Sequence, residues 1–94
     1  MRRLAWHKSF RKAFKKRTGE DKNLQEQIFE VLNELARDPF QPKLRTHKLS
    51  GKLKGLWACW VDYDCRIIFT FKIDPDTKRE MIVLIDIGTH DEVY

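Results

Sequence analysis

Residues 56–73, LWACWVDYDCRIIFTFKI, decide the fold, because both ends of this stretch are dense in the aromatic and β-branched residues that favour strands. Between the two ends, Asp62-Tyr63-Asp64 is typical of a hairpin turn. Side chains of the second strand alternate between an apolar face and a face that carries charge. The apolar face holds Cys65, Ile67, Phe69, Phe71 and Ile73, and the other holds Arg66, Ile68, Thr70 and Lys72. We expect the apolar face to cover helices and the other face to be open to solvent or a ligand.

Two helices are predicted upstream of this hairpin. Apolar residues at helical spacing predict a first helix over residues 7–18, and Gly19 ends it because a glycine accepts the left-handed cap conformation. Asp21 is a suitable N-cap for the second helix. That helix ends before Pro39, because a proline pushes the preceding residue out of the α region.

The remaining strands complete an α+β fold. Alternating residues predict a short strand over residues 2–6, and a last strand over 80–87 follows the turn at 74–78. The expected order is β-α-α-β-β-β: a two-helix N-terminal hairpin packed on one face of a small antiparallel β-sheet. At 94 residues, the chain is expected to be a single domain, 1–94.

The charge of the chain favours a polyanionic partner. Lys and Arg number 19 against 14 Asp and Glu, which gives a net charge of +5. Residues 1–19 hold eight basic and no acidic side chains, and residues 43–54 hold five basic and none acidic. If the fold brings these two basic blocks together, they form a groove for a phosphate backbone; otherwise each is a solvated face.

The sequence argues against several classes of protein. The longest apolar run, over residues 56–61, has six residues, far below the roughly 18 of a membrane span, and no secretory signal is visible, so we expect a cytoplasmic protein with no membrane partner. Cys59 and Cys65 lack metal-ligand spacing and are expected to be reduced, partly buried thiols. Nucleotide, zinc-hydrolase and serine-hydrolase motifs are also missing from the sequence. We therefore expect no cofactor and no metal.

Two histidines are candidates for acid–base chemistry. His47 lies between the second basic block and the first long strand, and His90 follows the last strand. Two imidazoles can cleave RNA without a metal: one deprotonates the ribose 2′-OH and the other protonates the leaving 5′-oxygen. Isolated surface histidines without a catalytic role are the alternative. His7, at the start of the first helix, is expected to be structural or inert.

Four further residues are candidates for catalysis or for contact with RNA, and two of them also have a structural interpretation. Asp64 suits the hairpin turn as well as catalysis. Arg66 interrupts an apolar strand, where a cation must be solvated or paired, and we expect it to face a phosphate. Trp60 and Tyr94 are candidates for stacking on bases, although Trp60 also suits a core position.

Three motifs resemble toxins of the RelE/ParE superfamily, and within it the YafQ-like branch. They are His47-x-Leu49-x-Gly51-x-x-x-Gly55-Leu56-Trp57, Asp64-x-Arg66-Ile67-Ile68-Phe69 and Gly88-Thr89-His90-x-x-x-Tyr94. The first two are common in the superfamily and indicate mainly the fold. The pair His47 and His90, with an aromatic residue four positions after His90, is more specific. The resemblance covers essentially the whole chain.

The resemblance implies a ribosome-dependent endoribonuclease that cuts mRNA. By position, His90 is the general acid, and His47 and Asp64 activate the 2′-hydroxyl or orient the RNA. Trp60 stands where YafQ-like toxins have a further active-site histidine, so the choice of base between His47 and Asp64 stays open. Arg66 matches an arginine near the scissile phosphate.

Other residues are assigned to RNA contact through the same resemblance. Tyr94 matches an aromatic residue that shapes the substrate pocket. Lys52 and Lys54 match a lysine-rich segment placed against the RNA backbone. The basic first helix is expected to contact ribosomal RNA through Lys12, Lys15 and Lys16, together with Lys8 and Arg11.

The expected partners follow from the resemblance and from charge. An acidic cognate antitoxin would cover the cationic surface and fold on binding, often in a toxin–antitoxin heterotetramer. Messenger RNA and the ribosome are the other expected partners. Two alternatives remain: a ParE-like toxin that inhibits gyrase, and a catalytically weakened relative that only binds RNA.

Overall fold

The structure is a computed structural model, and it describes residues 1–89. Within that range the chain folds into two α-helices and one five-stranded sheet, with two short 3₁₀ turns at Pro42–Leu44 and Gly51–Leu53. The elements in chain order are β1 (Leu4–Trp6), α1 (Lys8–Thr18), α2 (Lys22–Arg37), β2 (His47–Lys48), β3 (Trp57–Asp62), β4 (Cys65–Ile73) and β5 (Glu80–Gly88). The α+β class predicted from the sequence is confirmed.

The sheet is mixed, where the sequence predicted an antiparallel one. Its strand order is β1-β5-β4-β3-β2. β1 runs parallel to β5, with Leu4 beside Ile82 and Trp6 beside Leu84. The other neighbours are antiparallel, and the two-residue strand β2 adds an edge next to β3. The prediction was wrong here because a three-residue strand carries no local signal of which distant strand it joins.

The helix boundaries follow the capping chemistry of the sequence. The His7 side chain accepts a hydrogen bond from the Ser9 N–H at 3.1 Å, so its structural role is confirmed. Gly19, at φ +50°, ends α1, as predicted. Asp21 caps α2 by accepting from the Leu24 N–H at 3.1 Å. In the described part of the chain, neither helix is long and apolar enough to cross a membrane.

The core lies between the helices and the apolar face of β4, called here the helical face. Cys65, Ile67 and Phe69 are fully buried on it. They pack in one cluster with residues of α1 and α2, among them Phe10, Ile28, Leu32 and Leu35. This part of the prediction is confirmed. Beyond the end of α2, the ring of Phe40 packs against Trp57 and Phe71, and Ile73 at the end of β4 is 63% exposed.

The opposite face, called here the distal face, carries Ala58, Trp60, Arg66 and Ile68 on the two central strands. It is less open than predicted. Ile68 is 5% exposed, because Leu49 and partly buried Leu53 and Leu56 pack against it. The segment between β2 and β3 folds back over this part of the sheet, a long-range contact that the alternation within β4 does not encode.

Both cysteines are free and fully buried, where partial burial was expected. Desolvation raises the pKa of the Cys59 thiol to about 12 and that of the Cys65 thiol to about 11. The thiolate is the reactive form, so we expect Cys59 to react with a disulfide reagent at pH 8 about a thousandfold more slowly than a free thiol. The measurement is the rate at which the disulfide reagent releases its own thiol, compared between native buffer and guanidinium. A rapid burst from the native protein would contradict the burial.

The turn between β4 and β5 contains a buried carboxylate, Asp74. Its Oδ1 accepts from the Asp76 N–H at 2.9 Å and its Oδ2 accepts from the Arg3 guanidinium at 3.0 Å. These hydrogen bonds, that of Asp76 first, hold the pKa of Asp74 below its usual range, although burial acts in the opposite direction.

A carboxylate whose pKa is lowered by folding stabilises the native state above its unfolded pKa, about 3.9 for Asp, and loses that effect as the pH falls through the folded pKa. We therefore expect Asp74→Asn to lower the Tm at pH 7 and the gap to the parent protein to close below about pH 4. Thermal unfolding followed by circular dichroism across this range tests it. Asp76→Asn, in the same turn but exposed, is the control and should show a much smaller gap.

Candidate active site

Strand register brings the candidate residues of the distal face into two neighbouring rows across the sheet. The first row is His47, Ala58, Ile68 and Asp86, and the second is Trp60, Arg66 and Gly88. The Cα atoms of His47 and Arg66 are two strands and one row apart, which corresponds to about 12 Å. Their side chains share a face, so the structure brings together two of the residues predicted for catalysis.

The His47 imidazole has a defined orientation. Its Nδ1 lies 2.8 Å from the main-chain carbonyl oxygen of Arg45. A carbonyl only accepts hydrogen bonds, so Nδ1 carries the proton and the lone pair of the neutral ring is on Nε2. That tautomer is the one in which Nε2 can take a proton from a substrate. Nε2 is buried in the structure, so a substrate has to open a path to it.

Arg66 is buried, at 7% exposure, against the prediction of an open charged face. Its Nη1 donates to the carbonyl oxygens of Asp62, Tyr63 and Cys65, the backbone of the β3–β4 hairpin. These acceptors lie where a register shift between Trp60 and Asp62 disturbs the ladder. The described hydrogen bonds all use Nη1, so the Nε and Nη2 hydrogens remain for a ligand such as a phosphate.

Trp60 is half-buried and lies beside two guanidinium groups. The Cζ atoms of Arg45 and Arg66 are 4.9 and 5.9 Å from its ring centre. Each such contact contributes about 0.5–1 kcal/mol at an exposed site. Trp60 is therefore outside the buried core, and its predicted stacking on a base stays a prediction.

Asp64 is separate from His47. It lies at the tip of the β3–β4 hairpin, where its Oδ2 is 3.3 Å from the Arg17 guanidinium and its carbonyl accepts from the same nitrogen at 2.6 Å. Strand geometry separates its Cα from that of His47 by about 15–20 Å. The structure therefore connects Asp64 to α1 on the helical side. His90 and Tyr94 lie outside the described residues; β5 ends at Gly88, in register with Arg66.

The predicted RNA-binding lysines lie on two sides of the sheet. Lys12 and Lys16 line a groove of about 640 Å³ between α1 and the end of β5, and Lys15 is exposed on the same helix. Lys52 and Lys54 are exposed in the segment between β2 and β3. Because α1 covers β5 and β2 is the far edge, the two basic blocks flank the sheet and do not form one joint groove.

Sequence reasoning missed Arg45 and Asp86. Arg45 has a left-handed backbone, φ +49°, and an arginine gives no sequence signal of that conformation. Asp86 belongs to the first row because β5 pairs with β4. In the sequence, a single acidic residue among apolar neighbours is the feature that could have identified it as a candidate. Among residues 1–89, no three potential metal ligands lie close enough to hold an ion.

Comparison with known proteins agrees with this fold. The YoeB/ParE toxin from Agrobacterium tumefaciens is similar with a TM-score of 0.74 and 18% identity, over 94% of this chain and 98% of that one. The protein HP0894 from Helicobacter pylori is similar with a TM-score of 0.71 and 27% identity, over 100% of both chains. The E. coli DinJ-YafQ toxin–antitoxin complex is similar with a TM-score of 0.67 and 16% identity, over 99% of this chain and 97% of that one.

Likeness at 16–18% identity shows the fold alone. None of the curated protein sequences matches the chain. The sequence profile of the family described as "Bacterial toxin of type II toxin-antitoxin system, YafQ" matches residues 2–94, nearly the whole chain. The resemblance drawn from the three motifs is thereby confirmed, and the chain belongs to the YafQ family of bacterial type II toxins.

Proposed function

We propose that this toxin is an mRNA interferase, an endoribonuclease that cleaves mRNA on the ribosome by attack of a ribose 2′-hydroxyl on the adjacent phosphate. The observation that carries the proposal is the orientation of His47: its Nδ1 is 2.8 Å from the Arg45 carbonyl, on the same face of the sheet as Arg66. That arrangement puts a proton acceptor and a cation on one face of the sheet, where one substrate contacts both once it has opened a path to Nε2. Family membership supports the same reaction class.

The reaction needs two proton transfers and a cation. His47 Nε2 takes the proton of the 2′-hydroxyl, and the 2′-oxygen attacks phosphorus. His90 donates a proton to the leaving 5′-oxygen as the P–O5′ bond breaks, which leaves a 2′,3′-cyclic phosphate or, after hydrolysis, a 3′-phosphate. Arg66 offsets the negative charge that develops on the phosphorane. Both transfers use imidazole, so the mechanism itself calls for no metal.

We assign the base to His47 rather than Asp64 on the described contacts. The carboxylate of Asp64 is ion-paired with Arg17 at 3.3 Å, and this contact directs the side chain towards α1. His47 shares the distal face with Arg66, whereas Asp64 is about 15–20 Å away along the hairpin. Under this proposal Asp64 holds the hairpin against α1 and so supports the position of Arg66.

Binding of RNA and of ribosomal RNA is assigned to the two basic blocks. Lys52 and Lys54 lie next to the distal face at the β2 edge, and Lys12, Lys15 and Lys16 lie on α1, on the helical side of the sheet. Positive charge on two sides of the sheet attracts a phosphate backbone without requiring a base sequence. Trp60 and Tyr94 are the proposed stacking partners for bases.

The proposed protein partner is an acidic antitoxin that covers these basic surfaces in the bacterial cytoplasm. The E. coli YafQ structure with DinJ is a toxin–antitoxin complex of the same fold. The net charge of +5 favours an acidic segment that folds on binding. A heterotetramer is the proposed assembly. The proposal predicts an acidic reading frame beside the toxin gene; co-expression with its product and light scattering of the purified complex test the partner and the assembly.

The test of the activity is cleavage of a defined mRNA on programmed ribosomes. We expect cuts in the presence of ribosomes and the purified toxin, much less cutting of the same mRNA alone, and a 5′-hydroxyl on the downstream fragment. A gyrase supercoiling assay runs in parallel. Inhibited supercoiling without RNA cleavage would support the ParE-like alternative, and RNA binding with neither activity would support a catalytically weakened relative.

A further inference from the structure

We propose that Arg45 is the positioning residue of His47, acting through its main-chain carbonyl, while its side chain places a cation on Trp60. The inference deepens the proposed function and rests on it for the role of His47 as base. It starts from three observations on one residue. Arg45 has a left-handed backbone, its carbonyl contacts Nδ1 of His47, and its guanidinium lies over Trp60.

The backbone of Arg45 is held in an unusual conformation. Its φ is +49° and its ψ is +39°, a region that non-glycine residues rarely adopt. The preceding 3₁₀ turn keeps it there: the Arg45 N–H donates to the Pro42 carbonyl at 3.1 Å, and Leu44 is buried beneath the turn. On the other side, the Thr46 hydroxyl donates to the Pro39 carbonyl. Such conformations persist where the surrounding structure fixes them, and they are frequent at functional sites.

This conformation determines where the carbonyl of Arg45 points. The oxygen lies 2.8 Å from Nδ1 of His47, two residues later. The neutral ring therefore keeps its hydrogen on Nδ1 and its lone pair on Nε2. A histidine without such a partner mostly carries its hydrogen on Nε2, which is the wrong tautomer for a base acting through that atom. A rotated Arg45 peptide would remove the preference.

The side chain of Arg45 connects the same residue to the second row of the site. Strand register places residue 45 across from Trp60, since His47 is paired with Ala58 and the strands are antiparallel. The guanidinium Cζ is accordingly 4.9 Å from the Trp60 ring, and Arg66, the partner of Trp60 on β4, lies 5.9 Å from it. Arg45 thus adds a second, exposed guanidinium for RNA phosphates beside the buried one of Arg66.

The two functions of Arg45 can be separated by mutation. Arg45→Gly removes the guanidinium but keeps the carbonyl and a residue that adopts positive φ readily. Arg45→Val also removes the guanidinium, and its β-branched side chain opposes positive φ. Nitrogen-15 chemical shifts of the His47 ring report the tautomer directly, in protein kept at a pH where the imidazole is neutral.

We expect a pyrrole-like Nδ1 and a pyridine-like Nε2 in the parent protein and in Arg45→Gly. In Arg45→Val the two signals should exchange their ranges. With ribosomes, kcat should fall about 100-fold in Arg45→Val, the scale that a misplaced catalytic group costs. Arg45→Gly should mainly raise KM, because it has lost a cation and kept the tautomer.

Two results would overturn the proposal: an unchanged tautomer in Arg45→Val, or a lost one in Arg45→Gly. If the valine variant does not fold, Arg45→Ala replaces it, since it differs from the glycine variant by one Cβ at the same positive φ. The nitrogen-15 measurement requires no catalysis. The expected tautomers without RNA cleavage would therefore refute the nuclease function and leave the positioning role of Arg45 intact.

Discussion

Replacing His47 with asparagine is expected to lower the rate of RNA cleavage by roughly 100- to 10,000-fold, the range that a general base contributes. The asparagine amide can still donate to the Arg45 carbonyl, now 2.8 Å from the histidine Nδ1, so the local backbone is retained. What the variant lacks is the Nε2 lone pair. Single-turnover cleavage on programmed ribosomes measures the change, and RNA affinity should stay close to that of the parent protein.

His7→Asn is the matched control for this variant. His7 accepts a hydrogen bond at the start of α1, and asparagine is a good N-cap there, so the helix and the activity should both persist. A His47→Asn protein that cleaves within about twofold of the parent would refute His47 as the base. Asp64→Asn would then become the variant to compare, because Asp64 is the other candidate.

Replacing Phe69 with alanine is expected to lower the free energy of unfolding by about 3–5 kcal/mol, the range measured for buried phenylalanine. Phe69 is fully buried on β4, and its ring is 5.5 Å from that of Phe71. Removing it leaves a cavity in the main cluster of the helical face. A chain of this length has about 5–14 kcal/mol in total, so the variant loses a large part of its stability.

Urea denaturation followed by tryptophan fluorescence gives the free energy of unfolding. Ile73→Ala is the control, because Ile73 is on the same face of the same strand but is 63% exposed. It should change the free energy of unfolding by less than about 1 kcal/mol. Equal losses in the two variants would contradict the burial pattern of β4.

Local patterns predicted the helices and the central hairpin well. The caps at Gly19 and Asp21 and the place of Cys65, Ile67 and Phe69 on the helical face are each encoded within a few residues, and the structure agrees with them. Contacts between distant segments were not predictable in the same way. The parallel pairing of β1 and the return of residues 49–56 over Ile68 depend on chain paths that no local signal records.

In the candidate site, too, some features were predictable from local sequence and others were not. His47 and Arg66 were predicted from residue type, and register places them on one face. Arg66 is buried because its Nη1 donates hydrogen bonds to carbonyl oxygens of the irregular β3–β4 hairpin. The alternation of residues along β4 gives no sign of this irregularity. Arg45 was missed because its role comes from a positive φ that arginine rarely adopts and from a main-chain carbonyl that every residue has.

The parallel pairing of β1 with β5 has a consequence for synthesis of the toxin. Leu4 precedes its partner Ile82 by 78 positions in the chain, so it is synthesised well before that partner. β5 also lies between β1 and β4, so a nascent chain that stops before residue 80 has no strand that connects β1 to the rest of the sheet. The sheet is therefore completed only after β5 has been made, and a product that terminates before residue 80 lacks the fold of the toxin.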